Sequence, residues 1–196
     1  MITEQGENIL YLVTGNPGKL KEIRRWLEPL GIPIETYEKE FIEVQADGLE
    51  DVVYYGMKEL VSTHDPGVPL IKDDSGLFIE SLSGFPGVYS SYVQRTISNR
   101  GILRLMENME ERGAVFKTVI GLYQPRTGTI SLFRGECRGE ISLDEKGRQG
   151  FGFDPIFIPE GGSSTFAEMS LNEKNSVSHR TMAVSRLAGH LKEHML

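Results

Sequence analysis

The first part of the chain shows two kinds of hydrophobic pattern, a short continuous run followed by a stretch of helical spacing. Residues 9–13, ILYLV, are uninterrupted apolar positions and predict a buried strand. The apolar positions after this run recur at spacings of three, four and three residues: Leu20, Ile23, Leu27 and Leu30. They predict a helix with one buried face, capped by Asn16 and with Pro17 in its first turn. The expected start of the fold is therefore a strand that leads directly into a helix.

A second helix is predicted from about Asp47, after a segment up to Gln45 that is expected to be extended. The apolar positions on its buried face are Leu49, Val52, Val53, Met57, Leu60 and Val61. Residues 63–67, THDPG, contain the turn residues that end it.

Shorter apolar runs follow the second helix. Residues 68–71 and 76–82 are predicted as two short strands on either side of the acidic pair Asp73–Asp74, and a turn is expected at 84–87. Apolar residues at 102–109 then predict a further helix that ends near Gly113.

The second half of the chain adds an antiparallel pair of strands. Residues 114–124 and 129–137 are predicted as strands, joined by the turn PRTG at 125–128. A closing helix over 177–196 directs Ala183, Leu187 and Leu191 inward. Interleaved strands and helices with a late hairpin favour an α/β fold, in which helices flank a mixed, twisted β-sheet.

Composition limits the class of protein. The 196 residues are 39% hydrophobic and 25% charged, and no linker-like segment divides them, so residues 1–196 are expected to form a single domain. A net charge of -7 disfavours polymeric nucleic acid as a partner. No apolar stretch approaches the ~20 residues of a membrane helix, and no secretory signal is recognisable, so a cytoplasmic protein without a membrane partner is expected. Cys137 is the only cysteine, and a buried, unreactive thiol is the expectation for it.

The turn TGNPGKLKE, residues 14–22, is similar to a phosphate-binding loop in composition but not in spacing. A Walker loop has four residues between its first Gly and its Gly-Lys pair, whereas Gly15 and Gly18 enclose two, and Leu20 follows Lys19 where Ser or Thr would be needed. The unpaired N–H groups and positive dipole at a helix N-terminus still suit an anion. The alternative is an ordinary capped helix without a ligand.

Three acidic residues suit a metal site. Asp73 and Asp74 lie in KDDSGLF, where alternation along a strand directs one carboxylate into a cleft and the other away from it. Glu43 lies among apolar neighbours in FIEVQ, where an unpaired charge is costly. Magnesium bound by one or two carboxylates and by substrate phosphate oxygens would neutralise such a group. The alternative is a strand-end Asp that caps a turn and an edge-strand Glu that faces water.

Aromatic residues between glycines suit a flat ligand. GFGFDPIFIPEGG, residues 150–162, lets the backbone approach a ring while Phe151 or Phe153 stacks on its face. Asp154 can accept hydrogen bonds from the ring edge. A strand with packed aromatic side chains explains the same pattern.

Cations gather near the start of the closing helix. EKNSVSHR, residues 173–180, places Lys174 just before that helix and His179 and Arg180 in its first turn, where positive charges oppose the helix dipole. A bound anion or the polar edge of a ligand would compensate. Exposure to solvent is the alternative.

Taken together, these segments resemble the inosine triphosphate pyrophosphatase family. The motifs occur in the family's order from about Ile9 to about Ala188: TGNPGKLKE, FIEVQ, KDDSGLFIESLSGFPGVYS, GFGFDPIFIP, TFAEM and EKNSVSHR. The resemblance implies an elongated α/β fold of two lobes with a central cleft, assembled as a homodimer. It also implies Mg²⁺-dependent hydrolysis of noncanonical purine nucleoside triphosphates (ITP, dITP and XTP) to the monophosphate and pyrophosphate.

The resemblance assigns a role to each motif. The substrate-binding residues that it implies are Thr14, Gly15, Asn16, Lys19, Ser75, Phe151, Gly152, Phe153, Asp154, Lys174, His179 and Arg180. Glu43 and Asp74 are the implied metal ligands, and the implied catalytic residues are Asp74 as general base and Lys19 as a cation at the phosphates, assisted by Lys174. Residues 151–154 are implied to bind the base, and His179 with Arg180 to recognise its 6-oxo group.

Two positions depart from the family pattern. Tyr92 replaces an Arg that is frequent in the family, and Phe153 stands where Tyr or Trp is frequent. A sensor that binds nucleotides without hydrolysis, a pyrophosphatase for other modified nucleotides and a structural adaptor are the competing functions. The enzyme hypothesis predicts that Lys19, Asp74, Phe151 and His179 converge on one cleft.

Overall fold

The computed structural model of the chain describes residues 9–38 and 44–194. Its helices are Pro17–Leu27 (α1), Leu49–His64 (α2), Ser90–Thr96 (α3), Ser98–Leu105 (α4), Leu171–Val177 (α5) and His179–His194 (α6). Its strands are Leu10–Val13 (β1), Ile34–Thr36 (β2), Leu70–Ile79 (β3), Gly113–Gln124 (β4), Thr129–Ile141 (β5) and Phe157–Pro159 (β6).

The strands of the described residues form one six-stranded sheet in the order β2-β1-β3-β4-β5-β6. β1 pairs in parallel with β2 on one side and with β3 on the other, and β5 pairs antiparallel with β6. The neighbours β4 and β5 are joined by the residues 125–128, too few for a parallel crossover, so this pair is antiparallel. The predicted α/β fold with a mixed sheet is confirmed.

The structure corrects three predictions of secondary structure. The two short strands around Asp73 and Asp74 are one strand, β3, because the acidic pair continues the strand instead of turning it. The prediction of a single helix before Gly113 omitted α3, and the prediction of the closing helix omitted α5. α5 begins with a capping box, in which the Ser170 side chain accepts from Glu173 N–H and the Glu173 carboxylate accepts from Ser170 N–H.

The chain divides into two compact units, each with its own hydrophobic core. Unit 1 consists of Met1–Asp74, Val119–Arg134 and Thr181–Leu196, and unit 2 of Ser75–Thr118 and Gly135–Arg180. In unit 1, residues of β1, α1 and α6 share one buried cluster that includes Leu12, Ile23 and Leu187. In unit 2, Leu77, Phe116 and Phe157 belong to another. The chain passes from one unit to the other four times, within β3, β4, β5 and α6. A single domain over 1–196 stays a prediction.

Cys137 is buried in the core of unit 2. Burial raises the pKa of its thiol to about 11, and the nearby charge of Glu160 acts in the same direction. The thiol therefore stays protonated at neutral pH, which makes it a poor nucleophile.

Among the described residues, every helix is too short or too polar to cross a lipid bilayer.

Candidate active site

The turn after β1 is organised by its own side chains. Asn16 N–H donates to Thr14 Oγ1 over 3.1 Å, and the Asn16 side chain in turn accepts from Gly18 N–H at 2.9 Å and from Lys19 N–H at 3.4 Å. Pro17 has no N–H to offer. The helix cap thus uses most of the amide donors that the sequence suggested for an anion, so an anion here would depend chiefly on the Lys19 ammonium.

Lys19 reaches from α1 to the acidic pair of β3, within unit 1. Its Nζ lies 3.3 Å from Asp73 Oδ2 and 3.8 Å from Asp74 Oδ1, and it donates to the Asp73 carbonyl oxygen over 3.2 Å. β1 and β3 are parallel neighbours, so the turn that follows β1 lies at the same end of the sheet as this part of β3. The structure therefore brings together the cation and one of the two acidic motifs that the sequence predicted.

The two aspartates differ in burial. The Asp73 side chain is inaccessible to solvent, whereas that of Asp74 is 27% exposed. Asp74 is therefore the carboxylate of the pair that water and a ligand can reach. The buried Lys72 beside them was not singled out from the sequence. A Cβ on Gly56 of α2 would lie 3.1 Å from Lys72 Cε, so the glycine makes room for this side chain.

A second group of functional side chains lies in unit 2, around Asp154. Its Oδ2 accepts from Lys174 Nζ over 2.7 Å and from Phe151 N–H over 2.8 Å. Both side chains of the ion pair are only 4% exposed. Gly150 has a φ of 74°, and a Cβ there would collide with the same carboxylate, so glycine is required at this turn. Asp154 thus fixes both a cation and an aromatic residue.

Cations lie against the Phe151 ring. Lys174 Nζ is 5.0 Å from the ring centroid of Phe151 and 5.6 Å from that of Phe166, and Arg180 Cζ is 5.5 Å from the Phe151 centroid. Phe151 is partly exposed, whereas Phe153 is packed into the hydrophobic core of unit 2. Of the two aromatic residues proposed to stack on a ligand, only Phe151 is partly exposed.

His179 and Arg180, both buried at the start of α6, are positioned by different contacts. The His179 ring stacks on Phe116, with centroids 4.6 Å apart and planes 8° apart. Arg180 Nη2 donates to Ser75 Oγ over 3.0 Å, and Ser75 Oγ lies 2.6 Å from Thr118 Oγ1. The structure therefore joins three predicted motifs, those of Ser75, Phe151 and His179–Arg180, within unit 2.

Lys174 has an implied role at the phosphates that stays a prediction. It lies in α5 of unit 2 with the residues assigned to the base, and its charge is matched by Asp154. Phe116, Phe166 and Thr118 were not identified from the sequence, because apolar and small polar residues in a strand carry no motif of their own. The sequence did contain a signal for the start of α5, because Ser170 and Glu173 have the spacing of a capping box.

The predicted metal site is described in part. Glu43 lies outside the described residues. Within residues 9–38 and 44–194, no three side chains of His, Cys, Asp or Glu are grouped closely enough to hold a metal ion by themselves. Asp74, the accessible carboxylate of the acidic pair in unit 1, could contribute to such a site.

Comparison with known proteins identifies the family. Residues 10–190 match the Ham1 family. The chain belongs to the Ham1 family. It is 48% identical over 186 residues to a dITP/XTP pyrophosphatase of Thermococcus kodakarensis, covering 95% of this chain and 98% of the relative. It is 50% identical over 183 residues to the dITP/XTP pyrophosphatase of Pyrococcus horikoshii, covering 93% and 96%. The family resemblance seen in the sequence is confirmed.

Solved structures give the same result for this Ham1 chain. A HAM1 protein from Coxiella burnetii superposes with a TM-score of 0.82 at 29% identity, covering 94% of this chain and 98% of that one. A nucleoside-triphosphatase described as a dITP/XTP pyrophosphatase, from Mycobacterium abscessus, superposes with a TM-score of 0.71 at 32% identity, covering 91% and 97%. The fold is thus that of the Ham1 proteins.

Proposed function

We propose that this chain hydrolyses noncanonical purine nucleoside triphosphates, namely ITP, dITP and XTP, to the monophosphate and pyrophosphate. Its relatives at 48% and 50% identity are named dITP/XTP pyrophosphatases. The observation that carries the proposal lies in β3, where the consecutive residues Asp74 and Ser75 belong to different groups. Asp74 contacts Lys19, and Ser75 contacts Arg180. Unit 1 thus contains a group suited to phosphate, and unit 2 contains a group suited to a base.

Lys19 and Asp74 are the proposed residues at the scissile bond. Lys19 supplies the positive charge that stabilises phosphate oxygens as the bond to the α-phosphorus breaks. Asp74, the accessible carboxylate, accepts the proton of the attacking water. The turn that positions Lys19 is formed by Thr14, Gly15 and Asn16.

The residues around Phe151 are the proposed base site. The partly exposed Phe151 stacks on the base, while Arg180 and His179 donate to the 6-oxo group of the purine. Adenine has an amino group at this position, and a site built from buried donors leaves those donors unpaired when such an analogue binds. Lys174 is held by Asp154 against the Phe151 ring, and its part at the phosphates stays a prediction.

Magnesium is the proposed cofactor. Mg²⁺ in nucleotide enzymes is held by one or two carboxylates together with substrate phosphates and water, so the accessible carboxylate of Asp74 fits the ion without a three-residue cluster. Glu43, outside the described residues, is the further ligand expected from the family resemblance. When bound, the ion would neutralise negative charge on the triphosphate. A cytoplasmic location for the enzyme stays a prediction.

Pyrophosphate release from a panel of nucleotides tests the proposal. The purified chain is expected to release pyrophosphate from dITP, ITP and XTP roughly tenfold or more faster than from ATP, because only the first three offer a 6-oxo acceptor. The reaction is expected to stop when EDTA removes divalent ions and to resume when Mg²⁺ is added in excess. Binding of dITP without release of pyrophosphate would instead support a sensor, and equal turnover of ATP would overturn the assignment of the base site.

A homodimer is the proposed assembly. Phe85, Tyr89 and Tyr92 lie close in sequence in unit 2 and are 38%, 49% and 61% exposed, and aromatic residues are enriched in protein interfaces. We expect light scattering to give twice the mass of one chain. Tyr92→Glu is expected to give a monomer, whereas Tyr55→Glu, at a comparably exposed tyrosine of α2, is expected to leave the dimer intact. A monomeric unmodified chain would contradict the proposal.

A further inference from the structure

The imidazole of His179 is packed against a flat aromatic neighbour in the interior of unit 2. Phe116, a buried residue of β4, lies with its ring centroid 4.6 Å from that of His179, and the two ring planes are only 8° apart. Phe116 itself belongs to the hydrophobic core of unit 2. The proposed chemistry uses the imidazole and gives Phe116 no role, so the stacked contact is the reason to look for one.

The plane of an imidazole ring sets the direction of its hydrogen bonds, because both ring nitrogens and their protons lie in that plane. The torsion that turns a histidine ring about its bond to Cβ has broad minima, so the side chain alone fixes the plane weakly. The orientation of His179 must therefore come from its surroundings. A ring packed parallel to one face opposes rotation, since turning the imidazole would drive its edge into Phe116.

A fixed ring plane matters for telling two purines apart. Hydrogen bonds weaken steeply as the donor angle departs from linearity, so a turned ring would donate poorly to a 6-oxo oxygen. Rejection of adenine needs the same rigidity. A donor that is free to turn could avoid the 6-amino group at little cost, whereas a donor held in place is left unpaired by it.

We propose that Phe116 is a positioning residue that fixes the plane of the His179 imidazole and thereby sets the preference for 6-oxo over 6-amino purines. The inference rests on the proposed function, because it takes His179 as a donor to the 6-oxo group. His179 contacts the base, and Phe116 acts only through His179.

The test measures kcat/KM for dITP and for dATP in the unmodified chain and in Phe116→Leu. Leucine keeps an apolar side chain of similar volume but has no flat face. We expect the ratio of the two kcat/KM values, dITP over dATP, to fall by about three- to tenfold, the scale of one hydrogen bond. A smaller fraction of folded enzyme would lower both values equally, so the ratio reports recognition and not stability. Phe116→Met also lacks a flat face and is expected to lower the ratio if the leucine variant does not fold.

Two further measurements show whether the effect passes through His179. In the His179→Ala background, Phe116→Leu is expected to leave the ratio unchanged, because the residue through which Phe116 acts is absent. The chain has four histidines, so their ring protons can be followed by NMR and those of His179 assigned from the His179→Ala spectrum. A stacked phenylalanine shifts such protons upfield, and Phe116→Leu is expected to move the His179 signals downfield.

Phe157→Leu is the matched control. Phe157 is a buried residue of β6 in the same core cluster, and its ring lies 4.7 Å from that of Phe116 with planes 67° apart. Because Phe116 is nearly parallel to the imidazole, Phe157 is steeply inclined to it and offers it no parallel face. Phe157→Leu is therefore expected to lower the melting temperature and to keep the ratio.

The possible failures can be told apart. An unchanged ratio for Phe116→Leu, an equal fall for Phe157→Leu, or an equal fall in the His179→Ala background would overturn the inference while the proposed function stands. Unmoved His179 signals in Phe116→Leu would also overturn it. An unmodified chain that releases no pyrophosphate from dITP would overturn both the inference and the proposed function.

Discussion

Replacing Asp74 with asparagine is expected to lower the turnover of dITP by at least ~100-fold without unfolding the chain, the usual scale for loss of a general base. Asparagine is nearly the same size as aspartate but carries no charge and accepts protons poorly. Lys19 would keep its 3.3 Å contact with Asp73, so we expect the local structure to be retained. Initial rates of pyrophosphate release at saturating dITP and Mg²⁺ measure the effect, and the melting temperature reports on the fold.

The matched control for this variant is Asp51→Asn. Asp51 is an exposed carboxylate in the first turn of α2, in the same unit as Asp74, and has no part in the proposed chemistry. It is expected to keep full turnover. Near-normal turnover of Asp74→Asn would show that another group takes the proton. A large loss of melting temperature would show that Asp74 is needed for folding, and the corresponding loss of turnover would then not identify a base.

The start of the proposed phosphate site could be predicted because its determinants are local. The apolar run before the turn, the capping Asn16 and Pro17 in the first turn of the helix fix β1 and α1 through neighbours in sequence. Contact between Lys19 and the acidic pair of β3 is different, since it joins residues more than fifty positions apart. It requires knowledge that β1 and β3 are adjacent in the sheet, which local patterns do not contain.

The base site was predicted as a set of motifs but not as a set of contacts. The sequence suggested that Asp154 accepts hydrogen bonds from the edge of a ligand ring. In the structure its carboxylate accepts from Lys174 Nζ and from the Phe151 N–H. Either aromatic residue of GFGF was a candidate for stacking, and only burial distinguishes Phe151 from Phe153. The ion-pair partner of a buried charge is determined by packing within unit 2. The spacing of residues in the sequence does not predict that partner.

Asp154→Ala is expected to have the largest effect on stability, because it leaves the ammonium of Lys174 buried without its carboxylate. Removing one partner of a buried ion pair commonly costs about 3–5 kcal/mol, and both side chains here are only 4% exposed. The Phe151 amide also loses its acceptor. The free energy of unfolding, from urea denaturation followed by circular dichroism, is therefore expected to fall by that amount.

The double variant Asp154→Leu/Lys174→Met separates stability from ligand binding. Replacing a buried ion pair by apolar residues of similar volume is often neutral for stability, so the double variant is expected to recover most of what Asp154→Ala loses. It is not expected to recover dITP affinity, because the cation 5.0 Å from the Phe151 ring is gone and the loop around Gly150 has lost its anchor. Full recovery of affinity together with stability would mean that the ion pair only fills space. Failure to recover stability would mean that Asp154 supports the fold chiefly through the Phe151 amide and not through Lys174.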